Sequence, residues 1–199
     1  RQYEDSLNYL NQTINQDTLL KELSTEILVD IYGRIAFIEH TINENKPKAI
    51  IYYIKAINLF EANKKDFDEL YYPEAAMNTY NLGTLYQEQE KYLKAKKYYE
   101  ISIEVSPEES LAYSNLSYLY SEGFGIKQNS VKAIEILKEG LKFHPDDSMM
   151  LNNLGIGYEN GDGANQSFEE ALKYYQLSVN NKDFLTTYIN LAYLYQNGY

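Results

Sequence analysis

His40 and His144 are the only histidines among 199 residues, and there is no cysteine. Acid–base and nucleophilic catalysis needs a base held against a nucleophile and oriented by a third group. No such set can be assembled from this chain. His144 stands before Pro145 at the end of a helical pattern, where a cation is favoured by the negative helix terminus. Asp146-Asp147 and the acidic residues of 63–72 lack the alternating spacing of a calcium loop. Gly123-x-Gly125 and Gly161-x-Gly163 follow no strand and lack the third glycine or Lys-Ser/Thr of a phosphate loop. The reading is non-enzymatic, with no cofactor and no metal.

The residues that do recur are suited to recognition. Asn81, Asn115, Asn153 and Asn190 each precede a leucine of one repeated signature, with Arg34 at the matching place in a more divergent block. Two positions after each leucine stand Thr84, Tyr118, Ile156 and Tyr193, with Phe37 in the divergent block. One turn further come Gln87, Ser121, Glu159 and Gln196, with His40. A carboxamide offers both a donor and an acceptor to a peptide backbone. The same amide can instead brace the next helix, and the sequence leaves both readings open.

The elements that carry these columns are helices in tandem. Leu82-Gly83-Thr84-Leu85-Tyr86 is echoed at Leu116–Tyr120, Leu154–Tyr158 and Leu191–Tyr195, always as Leu-small-x-x-Tyr. The leucines are 34, 38 and 37 residues apart. A second signature follows: Lys94-Ala95 with Tyr98-Tyr99, Lys132-Ala133 with Ile136-Leu137, and Ala171-Leu172 with Tyr174-Tyr175. Each unit is therefore a pair of helices that cannot bury its apolar stripe alone and must stack on its neighbours.

Residues 76–109 resemble a tetratricopeptide repeat at Leu82-Gly83, Tyr86, Ala95, Tyr99 and Pro107, with Thr79 departing from the usual bulky residue. The later blocks resemble the Sel1-like variant, which lengthens the inter-helix turn with Gly-x-Gly. Tyr120 to Ala133 matches it, with Asn129 where Asp is usual, and Tyr158 to Ala171 matches again, with Ser167 in that place. The resemblance implies an all-α, right-handed superhelical solenoid of antiparallel helix pairs, whose first helices line a concave groove. It implies a scaffold for a protein or peptide partner, with Arg34, Phe37, Asn81, Thr84, Asn115, Tyr118, Asn153, Ile156, Asn190 and Tyr193 facing that partner. The alternative is a regulatory or chaperone-like adaptor whose associated activity lies elsewhere in a larger protein. First-helix residues 76–90 and 110–122 hold no Lys or Arg. The carboxylate clamp of chaperone-binding relatives is thus unmet, and an internal segment or folded partner is expected. Relatives linked to hydrolase activity are cysteine-rich, unlike this chain.

The expected organisation is an N-terminal helical segment 1–28, a divergent repeat 29–62, a connector 63–75, a tetratricopeptide repeat 76–109, Sel1-like repeats 110–147 and 148–184, and a first helix 185–199. Asp17 is placed as an N-cap, and Thr18 to Asn43 as one long helix or two joined near Val29. The connector is the expected hinge. Ser106-Pro107 and Pro145 are placed at helix starts; Asn129 and Ser167 are placed as caps of second helices. Leu191, Leu194 and Tyr195 are expected to lie uncovered, which suggests self-association through the last helix.

Composition fits. There are 22 tyrosines and no tryptophan, and a tyrosine in a helical array can bury its ring while its hydroxyl reaches water. The net charge of −11 repels phosphate backbones, so nucleic acid is not an expected partner. The Lys91, Lys94, Lys96, Lys97 cluster reads as a solvated helix face. No apolar run reaches membrane-spanning length. Without cysteine the redox compartment is unreadable; a cytoplasmic setting is slightly preferred, with a removed signal peptide left open.

Overall fold

A computed structural model describes residues 2–16, 23–181 and 185–199. Ten α-helices and no strand occur among them. They fall into two compact units, Arg1–Ser106 and Pro107–Tyr199. The first holds α1 (Gln2–Ile14), α2 (Thr25–Thr41), α3 (Lys46–Asn63), α4 (Tyr72–Glu88) and α5 (Tyr92–Val105). The second holds α6 (Ser110–Glu122), α7 (Ser130–Phe143), α8 (Ser148–Asn160), α9 (Phe168–Asn181) and α10 (Leu185–Gln196).

Within each unit, consecutive helices are the packed pairs: α2 with α3 and α4 with α5, then α6 with α7 and α8 with α9. The short connections turn each second helix back along its first. The two connections without glycine place Glu44 and Glu90 at φ 52° and 58°. The longer turns use Gly123 and Gly161 as left-handed C-caps at φ 72° and 74°, where a side chain would be strained. Both long turns close in the same way. Asn129 N–H donates to Tyr120 O and Ser167 N–H to Tyr158 O, while the Gln128 and Gln166 amides donate to Ser121 O and Glu159 O. Asn129 and Ser167 then cap their helices by accepting from Lys132 N and Glu170 N.

Two of the pairs are held together by a ring against a glycine. A Cβ built on Gly83 would meet Tyr99 Cε1 at 2.7 Å, and one on Gly155 would meet Tyr175 Cε1 at 2.4 Å. Tyr99 and Tyr175 are fully buried there. A surface lock lies beside each: Tyr86 stacks on Tyr98 and Tyr158 on Tyr174, both at 5.5 Å between ring centres. Lys94 lies over Tyr86, Lys97 over Tyr98, and Lys138 over Tyr158. Two lysines of the basic cluster are thereby cation–π partners, and Lys96 pairs with Glu100 one turn on.

Several local expectations need correction. The Asp17 cap and the start of the long helix at Thr18 lie outside the described residues. The helix that is described begins at Thr25, capped by Ser24, and Val29 is buried inside an unbroken α2. Ser106 does not open α6. It is extended, as a residue before proline must be, buried, and ends α5; Glu109 is the N-cap, accepting from Leu111 N. Pro145 likewise lies in the turn before Asp147, which caps α8 by accepting from Met150 N. Each proline instead falls in the turn between the end of one helix and the start of the next.

The connector is packed. Phe67 is buried between two short 3₁₀ turns, Lys64–Asp66 and Glu69–Tyr71, with its ring 5.0 Å from Phe60. Tyr72 lies edge-on to Phe60 at 5.4 Å. An aromatic wedge fills this space. The exposed face of α10 also differs from expectation. Leu191 and Leu194 are buried with Ala171 and Tyr175, because the helix turns that stripe onto α9. Leu185, Tyr188, Ile189, Tyr193 and Tyr195 are its exposed large apolar residues.

Replacing Gly155 by alanine sets two effects against each other. Helix propensity favours alanine by about 1 kcal/mol. Overpacking against the Tyr175 ring costs about 1–3 kcal/mol. Gly155→Ala is expected to lower the urea midpoint, and combined with Tyr175→Leu it should cost less than the sum of the two single losses, since Ser117 and Leu137 stand together at the matching places of the middle block. A Gly155→Ala protein as stable as wild type would refute the ring-against-glycine packing.

Candidate functional site

In the first unit, Arg34 and Phe37 on α2 and Asn81 on α4 line one cleft of about 830 Å³. Helix α1 forms another wall through Tyr3, Asp5, Ser6, Tyr9 and Leu10. Leu7 holds α1 in place by packing on Ile31, Ile35 and Ile38. Phe37 is 48% exposed, in keeping with an open lining. Arg34 Nε donates to Asp30 one turn back, leaving the other guanidinium N–H groups on the cleft side chain. Burial pushes the Glu74 carboxyl up, and contact with Asp30 pushes it further, while Arg34 pulls it down. Thr84 is not part of the lining: its hydroxyl donates to Asn81 O on its own helix.

In the second unit, Tyr118 on α6 and Asn153 and Ile156 on α8 line a cleft of about 450 Å³. Its floor includes Ala133, Ile134 and Leu137 of α7. Asn115 is half-buried and outside this lining. Asn190 and Tyr193 lie on α10; Tyr193 is exposed, and Asn190 is half-buried. Sequence columns thus converge on one cleft in each unit, but Thr84, Asn115, Asn190 and Tyr193 are not brought to either.

No group of three or more His, Asp or Glu side chains suited to a metal ion occurs among the described residues. No described helix is long and apolar enough to cross a membrane. The family profile described as Sel1 repeat matches residues 40–59, 79–104, 110–140, 148–183 and 187–199. The chain belongs to the Sel1 repeat family. A Sel1 repeat protein from Oxalobacter formigenes superposes with a TM-score of 0.67 at 19% identity, over 98% of this chain and 76% of that one. BtubC from P. vanneervenii gives 0.70 at 17% identity, over 98% and 83%. The antigen c5321 of uropathogenic Escherichia coli gives 0.68 at 17%, and this chain spans only 37% of its length. These similarities concern the fold. No curated protein matches the sequence.

Within this Sel1 repeat chain the asparagine column does bracing work at one end. Asn190 Nδ2 and Thr187 Oγ1 both donate to Asn152 Oδ1 at 3.1 Å, and Asn152 Nδ2 donates to Asn153 Oδ1 at 3.4 Å. Asn152 is buried and fell outside every column, as did Asn78 on α4. Neither shares a repeat position, so no periodic signal pointed to them.

The column one turn beyond turns inward as well. Gln87 accepts from the Tyr99 hydroxyl at 2.8 Å and Glu159 from the Tyr175 hydroxyl at 2.6 Å. His40 stands at the matching place beside Tyr53, edge-on at 6.5 Å, and its Nε2 lies 3.8 Å from Glu88. Tyr53 is fully buried, yet its hydroxyl closes no hydrogen bond; the Asn81 carboxamide faces it without reaching bonding geometry. His144 Nε2 lies 2.8 Å from Glu108 O, and only a protonated nitrogen can satisfy that carbonyl. Both histidines therefore have structural partners.

Two of these tyrosines make opposed predictions. Tyr175→Phe removes a hydrogen bond to a carboxylate and is expected to cost about 1.5–3 kcal/mol. Tyr53→Phe removes a buried hydroxyl without a partner and is expected to be neutral or stabilising. Burial raises the pKa of Tyr53 and Tyr175 above the ordinary tyrosine value, with Glu159 adding to the shift at Tyr175. The folded chain then holds these protons more tightly than the unfolded chain. That stability is fully present below about pH 10 and declines as pH rises beyond it. Denaturant melts at neutral and alkaline pH test both statements. Equal losses for the two Phe variants, or alkaline sensitivity unchanged in the double variant, would contradict them.

Proposed function

We propose that this chain is a protein-interaction scaffold that binds a peptide segment or folded partner with its first helices. Sel1 and tetratricopeptide-like repeats are commonly protein-interaction scaffolds, and the chain belongs to that family. The observation that carries the finer reading is convergence. Arg34, Phe37 and Asn81 share one cleft, and Tyr118, Asn153 and Ile156 share another, each between first helices of its unit. Both linings mix exposed aromatic or aliphatic surface with a few amides, the composition expected of a recognition site. Asn81 and Asn153 are half-buried, with carboxamide capacity left beyond their intramolecular neighbours. The exposed apolar face of α10 supports self-association within the same reading, to be measured by light scattering.

The test compares the full chain with a Phe37→Ala, Tyr118→Ala, Ile156→Ala variant and with Leu93→Ala, a substitution on the exposed face of α5. Affinity capture followed by mass spectrometry is expected to lose specific partners at least tenfold in the triple variant and to keep them in the control. Equal recovery by all three proteins would remove the first-helix surface from consideration.

A further inference from the structure

The first-unit cleft holds a polar group that its own fold leaves unsatisfied. Asn78 is only 6% exposed, and its Nδ2 has no hydrogen-bond partner. The carboxamide lines the cleft and is pressed against Gly33, where a Cβ would lie 2.7 Å from both its oxygen and its nitrogen. Any other residue at position 33 would displace it. A buried N–H without an acceptor is costly, and native structures rarely keep one. An occupant that presents a carbonyl oxygen would complete it.

The rest of the lining narrows the occupant. Phe37, Met77 and Tyr9 expose apolar area around the amide. Two carboxylates, Asp5 and Glu74, line the cleft against one guanidinium, Arg34, and Asp30 already occupies that guanidinium from behind. Negative charge is therefore in surplus beside Glu74, whose carboxyl is pushed up by partial desolvation and by the neighbouring Asp30, and the chain as a whole carries −11. A cation from the occupant would relieve it.

We propose that the cleft between α1, α2 and α4 receives a short extended segment of a partner protein, in which an apolar side chain is flanked by Lys or Arg. This rests on the scaffold reading above and specifies its partner. The apolar side chain packs on Phe37 and Met77, a main-chain carbonyl accepts from Asn78 Nδ2, and the basic side chain meets Glu74 and Asp5. Helix α1 lies outside the repeated signature, so this cleft has a wall that the second-unit cleft lacks.

The experiment pans a random dodecapeptide phage library on the full chain and measures synthetic versions of enriched peptides by fluorescence anisotropy. Enriched sequences are expected to pair an apolar residue with Lys or Arg within two positions. Asn78→Leu, which removes the orphan donor at similar volume, should melt no lower than wild type and weaken binding at least tenfold. Phe37→Ala, at an exposed position, should weaken it comparably; Glu74→Gln should weaken it several-fold and flatten its salt dependence. Leu93→Ala should leave it unchanged. Enrichment of acidic or uncharged peptides would overturn the proposed chemistry. Binding that resists Asn78→Leu and Phe37→Ala but falls with Tyr118→Ala, Ile156→Ala would move the site to the second unit and leave the scaffold reading standing. No enriched peptide, together with unchanged capture by the first-helix variant, would overturn both.

Discussion

The structure depends on one contact, made in two of its helix pairs: a tyrosine ring of the second helix packed against the glycine after the signature leucine. Gly83 with Tyr99 and Gly155 with Tyr175 leave no room for a Cβ. The hydroxyl is then held by the residue five positions after that leucine, Gln87 or Glu159. The ring supplies buried area, and its polar end fixes the axial register of the two helices. A small hydroxyl reinforces the same register one turn on. Ser102 Oγ donates to Ala76 O, and at the matching place Ser178 Oγ donates to Ser148 O. All four partners of these two bonds are buried, so each bond is made in a dry environment where breaking it is costly.

That contact explains what the sequence could and could not reveal. The leucine, the small residue and the tyrosine recur at fixed spacing, so the helix pairs and their apolar stripes were legible. The Asn129 and Ser167 caps were legible too, because a side chain caps its own helix without reference to the rest of the fold. Ser106-Pro107 and Pro145 misled because a Ser or Pro near a helix boundary suits the end of one helix as well as the start of the next. The distinction lies in how far apart the two helix ends must be, and that is set by packing. The last helix misled for the same reason. Leu191 and Leu194 look uncovered in sequence because no second-helix signature is read after them, yet α9 covers them from the other side.

The amides show where periodicity stops being informative. Asn190 repeats in register with Asn81, Asn115 and Asn153, but in the structure it donates to Asn152, which repeats with nothing. Asn152 gathers bonds from Thr187 and Asn190, and Thr187 in turn meets Ser178, so three helices are joined by one buried polar chain. Such a chain specifies a single packing more than it adds net stability, since every bond replaces one to water. A repeated amide can therefore mark a position where the fold tolerates a half-buried polar group, with its use decided block by block.

The clefts lie where the tyrosine contact is incomplete. In the second unit, Leu137 takes the place of Tyr99 and Tyr175, and Ser121 takes the place of Gln87 and Glu159. Ser117, Ser121 and Leu137 are all in the lining of the 450 Å³ cleft. A leucine is shorter than a tyrosine and needs no polar anchor, so that block has room where its neighbours have a ring and its hydrogen bond. In the first unit the ring is present as Tyr53, but its hydroxyl has no bonded anchor, and Asn81 turns toward it from the cleft lining. The residues that would tie the helix pair shut are in each case replaced by ones that leave volume or polar capacity open. Stability in these blocks is then drawn from elsewhere, from α1 packing on α2 in one unit and from the Gly140 backbone closing on Met150 and Tyr113 in the other. Relaxing the lock at two positions while reinforcing it around them lets each unit keep its helices in register and still hold a cleft open.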